Sequence, residues 1–254
     1  MKLENKTCIK NFLLGEFICL LLCIIPMYFR SLNTSICYPI EQWNYAQDVF
    51  TFFYPLVCTV PFCTELFYEQ QSGFFQYIVN RQNPMRYIGI KYLYSGSLGA
   101  IMIFSASFLS AIVGLFFIEP THPSSQSFLI YYLWGDILVS NPLRYAFYLS
   151  LWRIIPAILY FSFGFMLAIF QHKVLPVLLG PFIYSILENF LLSAIGMPAI
   201  SIITSFYPSR LALGYVKPIQ LLVGPIILLL VIVSIICIEC FRRHKESSRC
   251  LGIV

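Results

Sequence analysis

Residues 65–91 read ELFYEQQSGFFQYIVNRQNPMRYIGIK and form the only long charged segment between two strongly apolar ones. Five charged residues fall in this segment: Glu65, Glu69, Arg81, Arg86 and Lys91. An aromatic patch lies near its middle, made of Phe74, Phe75 and Tyr77. Aromatic side chains ringed by polar ones are typical of surfaces that concentrate binding energy. We therefore interpret residues 65–91 as an aqueous element on which a cytoplasmic partner docks.

The composition of the whole chain is that of a membrane protein. Of the 254 residues, 59% are hydrophobic and only 11% are charged, and the mean hydropathy is +0.80. Soluble domains carry about a quarter charged residues, so most of this surface cannot face water. These values predict a multi-pass membrane protein, embedded in the lipid bilayer as one all-α domain over residues 1–254, and we expect it in the plasma membrane.

Six stretches are apolar enough to cross a bilayer, for which a helix needs about 20 residues. The predicted spans are 11–30, 49–66, 92–118, 151–170, 174–196 and 218–240. Glu16 interrupts the first of them, so residues 3–15 are alternatively an interfacial elbow helix. We expect residues 119–150 to form the largest outer loop and residues 196–217 to dip into the membrane interface.

Lysine and arginine counts predict the orientation, because the cytoplasmic segments of membrane proteins are enriched in these residues. With the N-terminus inside, eleven of the 16 lie on the inner side. These are Lys2, Lys6, Lys10, Arg81, Arg86, Lys91, Lys173, Arg242, Arg243, Lys245 and Arg249. The count predicts cytoplasmic N- and C-termini, and it accounts for the net charge of +5 without nucleic-acid binding.

Small residues and cysteines indicate how the spans pack. Residues 92–118 carry no charge and are rich in Gly, Ala and Ser, which lets helices approach closely in lipid. We expect this third span to lie inside a bundle or at a subunit interface.

The cysteines fall mostly in apolar stretches, so we interpret them as small buried side chains rather than disulfide partners. Cys237 and Cys240 form a single CxxC, which is weak support for a metal site.

Several catalytic motifs are absent from the sequence. It contains no GxxxxGK[ST] loop for a nucleotide phosphate, no HExxH and no GxSxG. Its three histidines are not spaced for a shared metal ion. We therefore expect no cofactor on this chain and no enzyme activity of its own, and any energy that it uses comes from a partner.

The order of features around residues 65–91 resembles the ABC-2 family of ABC transporter permeases. The local match is an acidic residue, a glycine four positions later, a proline and a lysine that opens the third span: Glu69, Gly73, Pro84 and Lys91. Six spans, a polar element after the second span and the lack of an ATPase motif agree with the resemblance.

The resemblance implies a permease that pairs with a second copy or a paralogue and binds a dimer of cytoplasmic ABC ATPase subunits. Those subunits would hold ATP and Mg²⁺. It also implies an amphipathic coupling helix over residues 69–80, between the second and third spans. The ATPase-coupling residues that it assigns are Glu69, Gly73, Phe74, Phe75, Tyr77 and Arg81, with His172 and Lys173 as a smaller second contact.

The residues alone leave other interpretations open. The segment after the second span alternatively lies flat on the membrane, with Phe74, Phe75 and Tyr77 in the headgroup region. Glu188 is the only charge between Lys173 and Arg210, and a buried carboxylate must face protein or water rather than lipid. It either lines a substrate path or accepts structural hydrogen bonds.

Two further charges lie near predicted interfaces. We expect Glu16 to be structural at the inner interface. We expect Arg153 to lie at the outer interface, where its long stem lets the charged end reach water.

The resemblance to ABC-2 permeases implies ATP-driven export of a peptide, including antimicrobial peptides, or of another amphipathic or lipophilic compound. The alternative is a membrane immunity or scaffold protein that binds a toxin without transport. An integral-membrane enzyme is a third class, and no catalytic constellation is visible for it. Cargo identity, export against import, and a homodimer against a heterodimer stay open.

Overall fold

The protein is described by a computed structural model that covers residues 2–73, 77, 81, 83–123, 134–171, 173–211 and 217–251. The architecture is almost entirely helical. The helices are α1 (Lys2–Asn33), α2 (Ile40–Gln71), α3 (Pro84–Phe116), α4 (Gly135–Ser140), α5 (Pro142–Trp152), α6 (Ile154–Phe170), α7 (Val174–Ala194), α8 (Ile202–Phe206) and α9 (Gln220–Leu251).

Six segments of the described chain are long and apolar enough to cross a membrane, which confirms the predicted number of spans. They are Ile9–Asn33, Ile40–Gln71, Pro84–Phe116, Pro142–Phe170, Val174–Ala194 and Gln220–Arg242. The fourth combines α5 and α6, which meet at Arg153. The chain is therefore a multi-pass α-helical membrane protein.

Two spans extend well beyond the predicted boundaries. The second begins at Ile40 instead of residue 49, and its 32 residues form a helix about 48 Å long. The fourth begins at Pro142 instead of residue 151, so residues 135–150 are largely helical rather than an irregular outer loop. Hydropathy underestimates the second span because its first turns carry polar side chains that are buried against other helices: Gln42, Asn44 and Gln47. The first span is one continuous helix from Lys2, and no break separates residues 3–15 from the rest.

Two short strands identify one end of the bundle. Ser35–Ile36, between α1 and α2, pairs in parallel with His122–Pro123, which follows α3. We call this the strand end. The α2–α3 connection, residues 72–83, and the α6–α7 connection, residues 171–173, lie at the opposite end, which we call the connector end.

Helix α2 is the centre of the bundle, since it packs against α1, α3, α6 and α7. The face that α3 buries in this bundle is made mainly of small residues: Ser95, Gly96, Gly99, Ala100, Ala106, Ser107, Ser110, Ala111 and Gly114. Helices α2 and α6 also approach closely, because a β-carbon on Gly164 would lie 2.7 Å from Cγ2 of Thr59. The small residues of the third span therefore serve packing within this chain.

The segment between α7 and α9 turns back into the bundle at the strand end. It contains two 3₁₀ turns, Pro198–Ile200 and Pro208–Arg210, on either side of α8. Residues 201–209 are all buried. The burial shows that this segment packs against the helices of the bundle, and the expectation that it dips into the membrane interface stays a prediction. We call residues 198–210 the re-entrant segment.

The described cysteines are all free, and four are buried in the bundle: Cys19, Cys23, Cys58 and Cys63. Cys237 and Cys240 are exposed on α9. Within the described residues, no group of three or more His, Cys, Asp or Glu side chains is placed to hold a metal ion.

Candidate functional site

The α2–α3 connection begins and ends with well-defined caps. The Ser72 N–H donates to the Tyr68 carbonyl over 2.9 Å, and Gly73 comes next with φ +75°. Glycine adopts this left-handed conformation without a steric penalty, so it commonly ends helices. Asn83 starts α3, because its side chain accepts a hydrogen bond from the Met85 N–H at 3.0 Å and Pro84 occupies the first turn.

These caps change the predicted coupling helix over residues 69–80. Residues 69–71 belong to α2, and the turn at Gly73 separates them from the rest of the connection. Phe74 and Phe75 lie outside the described residues, so the aromatic patch and the remainder of that helix stay predictions. No atom of the described residues lies within 4 Å of the position that a β-carbon on Gly73 would take. The turn itself accounts for the glycine.

Tyr77 and Arg81 are the described residues of the connection between its two caps. The Arg81 guanidinium carbon lies 4.4 Å from the centre of the Tyr77 ring, which is a cation–π contact. The Tyr77 N–H faces the Gly73 carbonyl at 3.4 Å, and the Tyr77 side chain is 54% exposed. The connection thus presents an aromatic ring and a guanidinium together at its surface.

Glu69 does not point to the surface, although the resemblance assigns it to the ATPase contact. One oxygen of its carboxylate forms an ion pair with the Lys91 ammonium, and the other accepts a hydrogen bond from the Tyr87 hydroxyl at 3.1 Å. Oε1 of Glu65 lies 4.0 Å from the same ammonium. The side chains of Glu65, Glu69 and Lys91 are only 16%, 13% and 11% exposed. The carboxylate of Glu69 is turned towards α3.

The predicted second contact lies at the same end of the bundle. Lys173 is exposed and directly precedes α7. His172 lies outside the described residues, so only the lysine of this pair has a described position.

Glu188 lies on α7 and holds the re-entrant segment. Its Oε2 accepts from the Ser201 hydroxyl at 2.8 Å, and its Oε1 accepts from the Ile202 N–H at 3.1 Å. Both oxygens therefore contact the first turn of α8, and the residue is 9% exposed. A second bond between the same elements joins Arg210 to Oδ1 of Asn189 at 3.1 Å. This geometry favours the structural interpretation of Glu188 over the substrate-path interpretation.

Arg153 is fully buried at the junction of α5 and α6, so the expectation that its charged end reaches water is wrong. One terminal nitrogen donates to Oε1 of Gln47 at 2.8 Å and to the Ser107 hydroxyl, and Nε donates to the Phe206 carbonyl at 3.2 Å. The rings of Trp43 and Phe206 lie 5.1 and 4.7 Å from the guanidinium carbon. The stem does not reach towards water, because Nε and one terminal nitrogen are bonded inside the bundle, while the other terminal nitrogen has no hydrogen-bond partner among the described residues.

The other members of this polar cluster come from α2 and α3. The Trp43 indole N–H and the Gln47 amide each lie 3.2 Å from the Ser110 hydroxyl. Trp43 and Gln47 both precede residue 49, where the second span was predicted to begin. The two residues are four positions apart, so they lie on one face of α2 once the helix is long enough to include both. This spacing could have identified them from the sequence.

A cavity of about 450 Å³ opens at the strand end. Its lining is mostly apolar and includes Ile40, Leu115, Phe116, Leu138 and Asn141. Its lining holds no charged side chain of the described residues.

Fold and geometry define the class of this protein as a multi-pass α-helical membrane protein. No protein-family model, curated protein or solved structure matches the chain. The resemblance to ABC-2 permeases rests on the pattern within residues 65–91 and on the number and order of the spans.

Proposed function

We propose that this chain is the permease subunit of an ATP-driven exporter of the plasma membrane, powered by a dimer of cytoplasmic ABC ATPase subunits that bind ATP and Mg²⁺. The single observation that carries the proposal is the α2–α3 connection. It displays Tyr77 with Arg81 at its surface, while the largely shielded ion cluster of Glu65, Glu69 and Lys91 ties its base to two spans. A partner that docks there would act directly on the bundle.

The charges of the chain support the same assignment. The proposed orientation puts both termini, the α2–α3 connection and Lys173 in the cytoplasm, where basic residues are enriched in membrane proteins. The sequence has no phosphate-binding loop, so a transport cycle driven by ATP needs a separate ATPase. The permease would function with a second copy or a paralogue, as the resemblance implies.

The proposed cargo is a peptide or another amphipathic or lipophilic compound, a class that the resemblance implies. The position of Glu188 supports no cationic cargo site, because its two oxygens already accept hydrogen bonds from Ser201 and Ile202.

Co-purification tests the docking assignment. The tagged full-length chain is purified from native membranes, and bound proteins carrying a GxxxxGK[ST] motif are quantified by mass spectrometry and by ATP hydrolysis. A variant with Phe74→Ala, Phe75→Ala and Tyr77→Ala should lose most of the bound ATPase. Phe117→Ala is the matched control, because Phe117 is a 77% exposed aromatic residue at the strand end.

Retention of the same ATPase by the triple variant contradicts the docking assignment. A wild-type chain that binds no ATPase but protects cells from a toxin and binds it directly supports the immunity function instead.

A further inference from the structure

Four residues join the last turns of α2 to the first turns of α3. Glu65 and Glu69 are spaced i, i+4 on α2, and Tyr87 and Lys91 have the same spacing on α3. Residues with this spacing share one face of a helix, so the two pairs face each other. Lys91 contacts both carboxylates, and Tyr87 donates to Glu69. We call these four residues the lysine clamp.

The clamp residues lie immediately before and immediately after the α2–α3 connection along the chain. Glu69 lies three positions before the α2 cap at Ser72, and Tyr87 lies four positions after the α3 cap at Asn83. A force on residues 72–83 therefore reaches two spans that are fixed to each other at their ends.

Charge balance makes Lys91 the central member. The clamp holds two carboxylates and one ammonium, all largely shielded from water. Removing the ammonium leaves two carboxylates on adjacent turns of α2 without the cation that they share, and like charges at this spacing repel. Neutralising Glu69 is milder because Lys91 keeps Glu65 as a partner.

We infer that Lys91 is a positioning residue for energy coupling: through Glu65 and Glu69 it makes the α2–α3 connection move as one unit with both spans. This inference rests on the proposed function. It moves Glu69 from the ATPase contact to the support behind that contact. Docking and coupling are then separable, since the residues that touch the ATPase differ from those that transmit its motion.

The coupling test uses the complex of full-length chain and ATPase in lipid nanodiscs. We expect Lys91→Met to keep ATPase binding within about twofold of wild type, as for a change away from the contact. We expect the ATP hydrolysis that complex formation stimulates to fall about tenfold, within the range for residues that carry coupling. Lys91→Arg, which keeps the charge, should restore most of it.

Arg242→Met is the matched control. It removes the cation of the Arg242–Glu239 pair, which lies within the single helix α9 with the arginine 59% exposed, so stimulated hydrolysis should not change. Wild-type stimulation in Lys91→Met overturns the inference.

A distance measurement tests the clamp without an ATPase. It therefore distinguishes a failure of the clamp inference from a failure of the proposed function. Spin labels are attached at Ser72→Cys and Ile90→Cys, both exposed positions. Five other cysteines are first replaced by serine: Cys8, Cys37, Cys237, Cys240 and Cys250. The distance distribution between the labels should be narrow in the parent chain, clearly broader with Lys91→Met, and broader by a smaller amount with Glu69→Gln.

An unchanged distribution in Glu69→Gln overturns the clamp even where Lys91→Met does not fold. A wild-type chain that binds no ATPase but shows the broadening rejects only the proposed function.

Discussion

Arg153 and Gln47 meet in the buried interior of the bundle, where a guanidinium nitrogen donates to the amide oxygen over 2.8 Å. The two residues are 106 positions apart and both are fully buried. Arg153 also donates to the Phe206 carbonyl in the re-entrant segment. One side chain thus joins α2, the α5–α6 junction and α8. A charge that would be costly in lipid is held inside the protein by hydrogen bonds to these elements.

Replacing Arg153 tests this role. Arg153→Met keeps an apolar stem but leaves the amide oxygen of Gln47 and the Phe206 carbonyl without these donors. We expect a loss of about 2 kcal/mol in the free energy of unfolding, because unsatisfied buried acceptors are costly. Thermal unfolding in detergent measures it, with Arg144→Met as the control, since Arg144 is exposed.

A double variant makes the test specific to the pair. Gln47→Leu added to Arg153→Met removes the unsatisfied amide oxygen, so the combined loss should fall at least about 1 kcal/mol short of the sum of the two single losses. Additive losses would show that the two side chains do not act together.

Glu188 gives a prediction about the re-entrant segment. Glu188→Gln keeps groups able to form hydrogen bonds with Ser201 and Ile202. The re-entrant segment should therefore stay packed against α7, and transport should continue. Glu188→Leu removes both acceptors and should cost about 2 kcal/mol, with faster proteolysis near residues 198–210. Leu187→Ala, on the exposed side of the same helix, is the control. Transport that is lost in Glu188→Gln while the proteolysis rate stays normal would favour the substrate-path interpretation.

Gly224 lies where α9 crosses the re-entrant segment. A β-carbon there would lie 2.7 Å from both the backbone nitrogen and Cα of Ile202, and backbone atoms cannot turn aside as a flexible side chain can. We expect Gly224→Ala to cost about 2 kcal/mol, as overpacking does.

Gly89→Ala is the matched control, since nothing in the described part of the chain lies within 4 Å of that β-carbon on α3. The control should be neutral or gain up to about 1 kcal/mol from helix propensity. Equal stabilities of the two variants would contradict the close approach of α9 to Ile202.

The number of spans was predictable from sequence, because six apolar stretches long enough for a bilayer are a strong signal. The beginning of α2 was not predictable from sequence, because Trp43 and Gln47 resemble interface residues until their partners on α3 are known. Arg153 was misjudged for the same reason. A single charge in an apolar stretch suggests an interface, and only tertiary contacts supply the alternative.

The candidate site was predictable in part. The sequence pattern identified Glu69, Gly73 and Lys91 as a group, and the structure brings Glu69 and Lys91 into contact. Their contact with each other was not predicted, since it depends on the register between α2 and α3. The resemblance assigns Gly73 to the ATPase contact, and the structure adds that its positive φ ends α2.

The most direct measurement of the central claim is the accessibility of position 77. Tyr77→Cys is introduced with Cys8, Cys37, Cys237, Cys240 and Cys250 replaced by serine, and reacted with a membrane-impermeant maleimide. Phe117→Cys at the strand end is the control for the other side. The account predicts that position 77 is unreactive in intact cells, reacts in inverted vesicles stripped of ATPase, and is protected again when the ATPase is added back. Reaction of position 77 in intact cells would contradict a cytoplasmic connection driven by an ATPase.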